Sequence, residues 1–315
     1  MPWFYVILGL LFLLAGGDIL VRGAVGIAKR FRLSPLIIGL TIVSFGTSAP
    51  ELMVSLQAAL KGNPDIAIGN VVGSNIANLG LVLGLTVMIF PIVIDRNTLR
   101  IDWPVMMLAS LLFWYFISDN VIDFTEGFIF VLVLSFYLFF LFFYSKKTSV
   151  ADEPEKQESE SSWLDGPTIN LSMVALGCVG LVYGADFLVS GASDIARKWD
   201  ISEHVIGVTI VAFGTSVPEL ATSCIAAFKK QTDISVGNLI GSNIFNVFAI
   251  LGITSLVTPI NLEDPAVLSR DIYWMLAISF AVFPLAIFGL KLQRWKGFLL
   301  FVAYIVFMYL IAENL

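Results

Sequence analysis

Long apolar stretches separated by short polar segments run along the whole chain. A helix that crosses a bilayer needs roughly 20 apolar residues, and stretches of about that length recur from end to end. The pattern predicts an all-α polytopic membrane protein with ten transmembrane helices, five on each side of a polar segment. The predicted spans are 3–28, 35–60, 66–91, 101–118, 124–145, 168–194, 203–228, 235–259, 272–290 and 295–312.

The composition agrees with a bilayer as the solvent. Hydrophobic residues make up 58% of the chain and charged residues 13%, and the mean hydropathy is +0.90, which leaves no room for a soluble domain. The first stretch is too long for a signal peptide and has no basic flank, so it is interpreted as a retained span. Cys178 and Cys224 lie within apolar stretches, where a small buried side chain is more typical than a disulfide or a metal ligand.

The polar segment at 146–166 is rich in Lys, Asp and Glu and cannot bury a core. A regulatory Ca²⁺ sensor is one interpretation of its acidic residues. A solvated tether is favoured, because the segment lacks EF-hand spacing. The predicted organisation is therefore a first unit at 1–145, an acidic linker at 146–166 and a second unit at 167–315.

The second unit repeats the first at an offset of 168 residues. The run SPLIIGLTIVSFGTSAPELMVS, from Ser34, aligns without a gap with SEHVIGVTIVAFGTSVPELATS, from Ser202. The alignment continues from IAIGNVVGSNIANLGLVLGLT to ISVGNLIGSNIFNVFAILGIT, and Asp18 aligns with Asp186. Since each copy holds five spans, an odd number, the two copies must cross the membrane in opposite directions. The sequence thus predicts two inverted five-helix repeats.

The distribution of Lys and Arg predicts the orientation in a plasma or inner membrane. With the N-terminus outside, most basic loop residues lie inside, and the outside loops hold only Lys61, Arg197, Lys198 and Arg270. The positive-inside rule then places both termini outside and the acidic linker in the cytoplasm.

Each copy carries a proline and a glutamate in the middle of its second span, in Gly46–Glu51 and Gly214–Glu219. Pro50 has no N–H, and its ring clashes with the carbonyl of Gly46, so the helix should break and free carbonyls at the interface between the repeats. Thr47 and Ser48 precede Glu51 by four and three residues. Helical spacing therefore predicts that their hydroxyls face the same way as the carboxylate.

The third span of each copy supplies further oxygens. Ser74 and Asn78 are four residues apart, as are Ser242 and Asn246, so each pair shares a helix face. The neighbouring small residues, Gly69, Gly73 and Ala77 in one copy and Gly237 and Gly241 in the other, favour close helix packing. Packing alone is the alternative role for these serines and glycines. Beside two glutamates, an oxygen site without His or Cys suits Ca²⁺ or Na⁺.

The two glutamates predict a need for bound cations. Carboxylates about 4 Å apart repel by roughly 4 kcal/mol at an effective dielectric constant near 20. One divalent cation, several monovalent cations or protons would relieve this repulsion, and their mutual exclusion is a physical basis for exchange. A protonated glutamate used only for packing is the alternative, and the recurrence of the motif in both copies disfavours it.

Three other ionisable residues stand out. Asp18 lies four residues before Arg22, which favours an ion pair or a gate element over a cation ligand for Asp18 and Asp186. His204, the only histidine, lies at the edge of a span and is expected at the membrane interface.

At these residues the sequence resembles the cation/Ca²⁺ antiporter superfamily, in its Na⁺/Ca²⁺ exchanger branch. That family carries G-[ST]-S-x-P-[ED] followed by G-S-x-x-x-N/D in each of two repeats, and both copies here match. The resemblance implies an antiporter, not an enzyme, that exchanges Ca²⁺ for Na⁺ by alternating access, with no cofactor, nucleic acid or obligate protein partner. It implies a central ion between Glu51 and Glu219, lined by Asn78 and Asn246. The flanking Na⁺ ligands it implies are the carbonyls of Ser44 and Ala212, with Thr47, Thr215, Ser48, Ser216, Ser74 and Ser242.

Asn246 departs from the K⁺-dependent members, which place Asp there, so transport is expected to be K⁺-independent. If three Na⁺ enter against one Ca²⁺, it is also expected to be electrogenic. The alternatives on the same fold are H⁺ in place of Na⁺ and another divalent cation in place of Ca²⁺. A cation channel is disfavoured by the duplicated inverted half-sites. An intramembrane enzyme is disfavoured because no convincing nucleophile and base occur together in a span.

Overall fold

The computed structural model describes residues 2–148, 166–199 and 212–313, and these residues are mostly helical. One series of helices precedes the linker and a matching series follows it. The helices are α1 Pro2–Phe31, α2 Pro35–Thr47, α3 Ala49–Leu60, α4 Pro64–Ile89, α5 Thr98–Asp119, α6 Phe124–Thr148, α7 Pro167–Lys198, α8 Ala212–Thr215, α9 Val217–Phe228, α10 Thr232–Val257, α11 Val267–Ile287 and α12 Arg294–Glu313. Four short strands complete the list: β1 Ile92–Val93, β2 Val121–Ile122, β3 Ile260–Asn261 and β4 Lys291–Leu292.

Eight of the described helices are long and apolar enough to cross a membrane, and α2 with α3 makes a ninth if the bent pair is one span. Helix α9 is apolar but shorter, and the first part of its predicted span, 203–228, lies outside the described residues. Helix bounds differ from the prediction by a few residues. The span predicted at 272–290, for example, is Val267–Ile287, because a π-helical turn at Val267–Asp271 adds polar residues to its start.

The described residues are mostly helical, as the all-α prediction expected, but the sequence did not predict the four short strands. Strand β1 pairs antiparallel with β4, and β2 pairs antiparallel with β3, so each small sheet joins one copy of the repeat to the other. A strand of two residues is too short to show the alternation by which a strand is recognised in a sequence. These two sheets tie the copies together.

The long helices α1 and α7 pack closely along their length. A Cβ built on Gly9 would lie 2.6 Å from the backbone nitrogen of Leu188, and one on Gly23 would lie 2.8 Å from the carbonyl oxygen of Asn170. Small residues let two helix backbones approach this closely in a membrane. The start of α1 thus contacts the end of α7, so these equivalent helices of the two copies run antiparallel, as inversion requires.

The centre of the molecule is built from α4 and α10, which are buried over most of their length. Helices α3 and α9 pack against them. In both pairs the second copy begins and ends 168 residues after the first. These four helices carry half of the twelve residues that the sequence singles out for cation binding, including both glutamates.

Candidate cation-binding site

The helix that carries Glu51 is broken, as the proline predicted. Ser48 leaves the helical conformation, with φ −85° and ψ 4°, and the axes of α2 and α3 differ by 45°. Pro50 lies in the first turn of α3, where its missing N–H has no intrahelical partner to lose. In the second copy Ser216 takes the same conformation, with φ −89° and ψ 0°, between α8 and α9.

Glu51 and Glu219 lie in the first turn of α3 and α9 and are buried, with 1% and 0% of their surface exposed. The two carboxylates are near enough to interact electrostatically. The Oε2 atom of each has no hydrogen-bond partner among the described residues. A buried pair of acidic groups is costly without a compensating positive charge. The arrangement therefore suits a bound cation.

The hydroxyls of Thr47 and Ser48, at the helix break, form hydrogen bonds with the second copy. Ser48 donates to Oε1 of Glu219 at 3.4 Å, and Thr47 donates to Oδ1 of Asn238 at 3.0 Å. Neither contact is with Glu51. Residues three and four apart share a face only in a continuous helix, and the break at Ser48 interrupts it, so the shared direction of these hydroxyls and the carboxylate of Glu51 stays a prediction. The half-sites are thus interlocked rather than side by side.

A π-helical turn begins at Asn78 in α4 and at Asn246 in α10. Such turns are frequent at functional sites because they widen the helix locally and redirect its side chains. Helix α3, with Glu51, packs against the turn at Asn246, and α9, with Glu219, packs against the turn at Asn78. Each glutamate helix thus faces the asparagine turn of the other copy.

Several of the predicted ligands have buried polar atoms that lack hydrogen-bond partners in the part of the chain that the structure describes. They are Oε2 of Glu51 and Glu219, Oδ1 and Nδ2 of Asn78, Oδ1 of Asn246, and the hydroxyls of Ser216 and Ser242. An unsatisfied buried polar group costs about 1–3 kcal/mol, so a cluster of them indicates a ligand. Ser74 is also buried. The described residues contain no group of three or more His, Cys, Asp or Glu side chains placed to hold a metal ion, and apart from the two glutamates the predicted ligands are neutral.

The remaining predicted ligands lie at the helices that lead into the breaks. Ser44 donates its hydroxyl to the carbonyl of Asn238 at 2.9 Å, and its own carbonyl accepts the N–H of Ser48 at 2.9 Å. The same carbonyl lies 3.4 Å from the hydroxyl of Thr47, which can also donate to it. Ala212 begins α8, and Thr215 ends it. All twelve predicted ligands lie on α2, α3, α4, α8, α9 and α10, or at the breaks between them.

Two asparagines of the site were missed by the sequence reasoning. Asn75 accepts a hydrogen bond from Nδ2 of Asn246 at 3.0 Å and donates to the carbonyl of Asn243 at 3.4 Å. Asn75 and Asn243 are 168 residues apart and both are buried. The recurrence of a buried amide in both copies is the signal that could have identified them, because an amide in a span is costly unless it is paired.

A second recurring pair of asparagines braces the helices around the glutamates. Asn70 donates to Oγ of Ser55 at 2.9 Å, and Asn238 donates to Oγ of Ser223 at 3.3 Å. Asn70 also donates to the carbonyl of Glu51 at 3.2 Å. These amides hold α3 against α4 and α9 against α10.

The predicted close packing of small residues is confirmed in the second copy. A Cβ built on Gly237 would lie 2.5 Å from the carbonyl oxygen of Leu36, and Gly241 meets Leu40 in the same way. No described atom lies within 4 Å of a Cβ built on Gly69. The segment equivalent to α2 in the second copy lies mostly outside the described residues, so the prediction for the first copy stays open.

The other residues singled out by the sequence are not among the predicted ligands, although Cys178 lies beside Gly46 in α2. Cys178 and Cys224 are free thiols. Asp18 forms the predicted ion pair with Arg22, at 2.6 Å. His204 and most of the acidic linker lie outside the described residues.

Comparison with known proteins gives concordant matches over nearly the whole chain. A family model described as "Sodium/calcium exchanger protein" matches residues 1–143 and 169–312, which are the two copies of the repeat. The sodium/calcium exchanger MaX1 of Methanosarcina acetivorans is 32% identical over 96% of this chain and 96% of its own. The inner membrane protein YrbG of Escherichia coli is 34% identical over 93% of this chain and 90% of its own.

Solved structures of the sodium-calcium exchanger NCX_Mj have the same fold. The structure soaked with 10 mM Na⁺ and 10 mM Sr²⁺ superimposes with a TM-score of 0.82 at 33% identity, and covers 97% of this chain and 96% of its own.

Proposed function

Because the chain belongs to the sodium/calcium exchanger protein family, whose members are transporters, we propose that it exchanges Ca²⁺ for Na⁺ across a membrane by alternating access. One observation carries the proposal for this chain. Glu51 and Glu219 are buried together, and each has a carboxylate oxygen without a partner among the described residues. Only bound positive charge makes such a pair stable inside a membrane.

The central ion is proposed to lie between Glu51 and Glu219, with Asn78 and Asn246 around it. Ca²⁺ takes six to eight oxygen ligands and favours carboxylates, whereas carbonyl and hydroxyl oxygens suffice for a monovalent cation. The proposed flanking Na⁺ ligands are the carbonyls of Ser44 and Ala212 and the hydroxyls of Thr47, Thr215, Ser48, Ser216, Ser74 and Ser242. The unpartnered hydroxyls of Ser216 and Ser242 support this assignment, as does the burial of Ser44, Thr47, Ser48 and Ser74.

Exchange follows from the charge of the two glutamates. Both Ca²⁺ and a set of Na⁺ ions neutralise the pair, but they use the same oxygens and cannot bind together. The neutralised protein changes its facing more easily than the empty one, because a bare pair of buried carboxylates repels itself. Since Asn246 adds no third carboxylate, transport needs no K⁺ in this proposal.

The proposed architecture is ten spans in two inverted repeats, residues 1–145 and 167–315, with both termini outside. The linker at 146–166 is then cytoplasmic. The antiparallel packing of α1 and α7 and the distribution of Lys and Arg support this arrangement.

The test is uptake of radioactive Ca²⁺ into proteoliposomes driven by an imposed Na⁺ gradient. Glu51→Gln and Glu219→Gln should each lower uptake by at least about tenfold, equivalent to roughly 1.4 kcal/mol of lost ion binding. The exposed Glu263→Gln is the matched control and should behave as wild type. Normal uptake by either site variant would remove that glutamate from the site. Uptake that follows a pH gradient and ignores Na⁺ would identify H⁺ as the counter-ion.

A further inference from the structure

Asp18 and Asp186 occupy matched positions in α1 and α7, but their surroundings differ. Asp18 forms ion pairs with Arg22, at 2.6 Å, and with the ammonium group of Lys229, which follows α9 in the other copy. Asp186 is exposed and has no ion pair within the described part of the chain. The repeat therefore places the same carboxylate in two different states.

The repeat also identifies the lysine that Asp186 lacks. Lys229 follows α9 directly, and its equivalent in the first copy is Lys61, which follows α3. If the two copies were in the same state, Lys61 would pair with Asp186 as Lys229 pairs with Asp18. Lys61 is instead exposed, and the described residues give it no ion pair.

The space beside the two aspartates also differs: a cavity lies beside Asp186, whereas two helices are in contact beside Asp18. Asp186 lines a cavity of about 210 Å³ together with Pro50, Thr215 and Pro218, so the cavity reaches the helix breaks next to both site glutamates. Ala185 lines it too.

The residue equivalent to Ala185 is Gly17, beside Asp18. A Cβ on Gly17 would lie 2.5 Å from Cδ1 of Ile225 in α9. Helices α1 and α9 are therefore in contact at Asp18, whereas the matching place at Asp186 is open.

We propose that the ion pairs Asp18–Lys229 and Asp186–Lys61 form in alternation and seal opposite sides of the cation site. In this structure the first pair is closed and the second is open. In the opposite facing, Lys61 pairs with Asp186 and closes the cavity, while Lys229 leaves Asp18 and its carboxylate becomes accessible to cations. The inference rests on the proposed alternating access and names the groups that control it.

The test measures access to the cavity rather than transport. Val189 lines the cavity, so a Val189→Cys reporter in a Cys178→Ser, Cys224→Ser background reports whether that side is open. The rate of its modification by a water-soluble thiol reagent is measured in purified protein without Ca²⁺. Lys229→Gln removes the closed pair and should lower the rate by at least about threefold, because the opposite facing becomes favoured.

Adding Lys61→Gln to Lys229→Gln should restore the rate, since neither facing then keeps its ion pair. Lys229→Arg keeps the charge and should leave the rate unchanged, as should Lys230→Gln, which replaces the exposed neighbouring lysine. An unchanged rate in Lys229→Gln, or no recovery in the double variant, would overturn the proposal.

This readout needs no transport activity, so it separates the two proposals. If wild-type protein fails to exchange Ca²⁺ for Na⁺ but the reporter responds as expected, the proposed ions are wrong and the alternating pairs stand. If exchange is normal and the reporter does not respond, only the pairs are wrong.

Discussion

Asn75 links the two copies within the candidate site. Its amide oxygen accepts a hydrogen bond from Asn246, and its amide nitrogen donates to the backbone of Asn243. The bond to Nδ2 of Asn246 holds that side chain so that its Oδ1 remains without a partner among the described residues. Asn75 thus acts as a positioning residue for a proposed ion ligand.

Asn75→Ala should weaken Ca²⁺ binding without abolishing transport. A hydrogen bond contributes about 1 kcal/mol, so the Ca²⁺ concentration for half-maximal exchange should rise roughly fivefold. The maximal rate should change much less, because both glutamates remain. Ca²⁺ titration of exchange in proteoliposomes measures this, with the exposed Asn261→Ala as the control. An unchanged half-maximal concentration would show that Asn246 keeps its position without this bond.

The sequence identified the charged residues of the site better than their neutral neighbours. Glu51 and Glu219 stand out because a carboxylate in an apolar span is expensive, and the repeat doubled that signal. The partner of Ser48 could not be predicted, because it depends on the direction that the chain takes at the break. Asn75 was missed for a similar reason, since the sequence shows an amide but not what it contacts.

At the scale of elements, the break between α2 and α3 places the first glutamate. The absence of an N–H at Pro50 and the non-helical Ser48 set the 45° bend. Pro50→Ala would supply an N–H for the carbonyl of Gly46 and favour a straighter helix. The proline and its spacing sufficed to predict this feature from the sequence.

Pro50→Ala should therefore slow Na⁺-driven Ca²⁺ uptake by about tenfold or more. That factor corresponds to roughly 1.4 kcal/mol of ion-binding free energy lost when Glu51 is misaligned. Pro284→Ala is a matched control, because Pro284 also lies inside a helix but outside the candidate site. The melting temperature of each variant in detergent shows whether the fold is intact. If Pro50→Ala transports normally, the bend does not depend on the proline.

Glycines at the contact between α1 and α7, such as Gly16, bring the two helix backbones close together, and the sequence did not predict this contact. A Cβ on Gly16 would lie 2.9 Å from the backbone nitrogen of Leu181, and backbone cannot move aside as a flexible side chain can. Gly16→Val should therefore lower the free energy of unfolding by about 1–3 kcal/mol, as overpacking does. Thermal melting in detergent measures the loss. Gly166→Ala, with its nearest contact at 3.8 Å, should leave the melting temperature unchanged.

At the scale of the whole molecule, the last helix of each copy packs against the other copy. Helix α6 packs against the end of α10, and α12 packs against the end of α4, so each last helix of one copy covers the central helix of the other. The sheets β1–β4 and β2–β3 join the copies in the same sense. Hydrophobic stretches predicted the spans, and the alignment at an offset of 168 residues predicted the repeat. Neither could predict which helices of the two copies pack together, because every apolar face suits several neighbours. The candidate cation site thus lies where the two copies interlock.

The charge of this shared site leads to a prediction for the complete transport cycle. Glu51 and Glu219 supply two negative charges, which one Ca²⁺ neutralises. If three Na⁺ bind in the opposite step, one positive charge moves across the membrane in each cycle. At 100 mV this transfer corresponds to about 2.3 kcal/mol, enough to change the driving force for exchange markedly.

Ca²⁺ uptake in proteoliposomes should therefore accelerate when the interior is made positive, because that potential drives Na⁺ outward. Setting the potential with a K⁺ gradient and valinomycin tests this, and the same K⁺ concentrations without valinomycin control for an effect of K⁺ itself. Uptake that is indifferent to the potential would indicate two Na⁺ per Ca²⁺, the number that two carboxylates neutralise without excess charge.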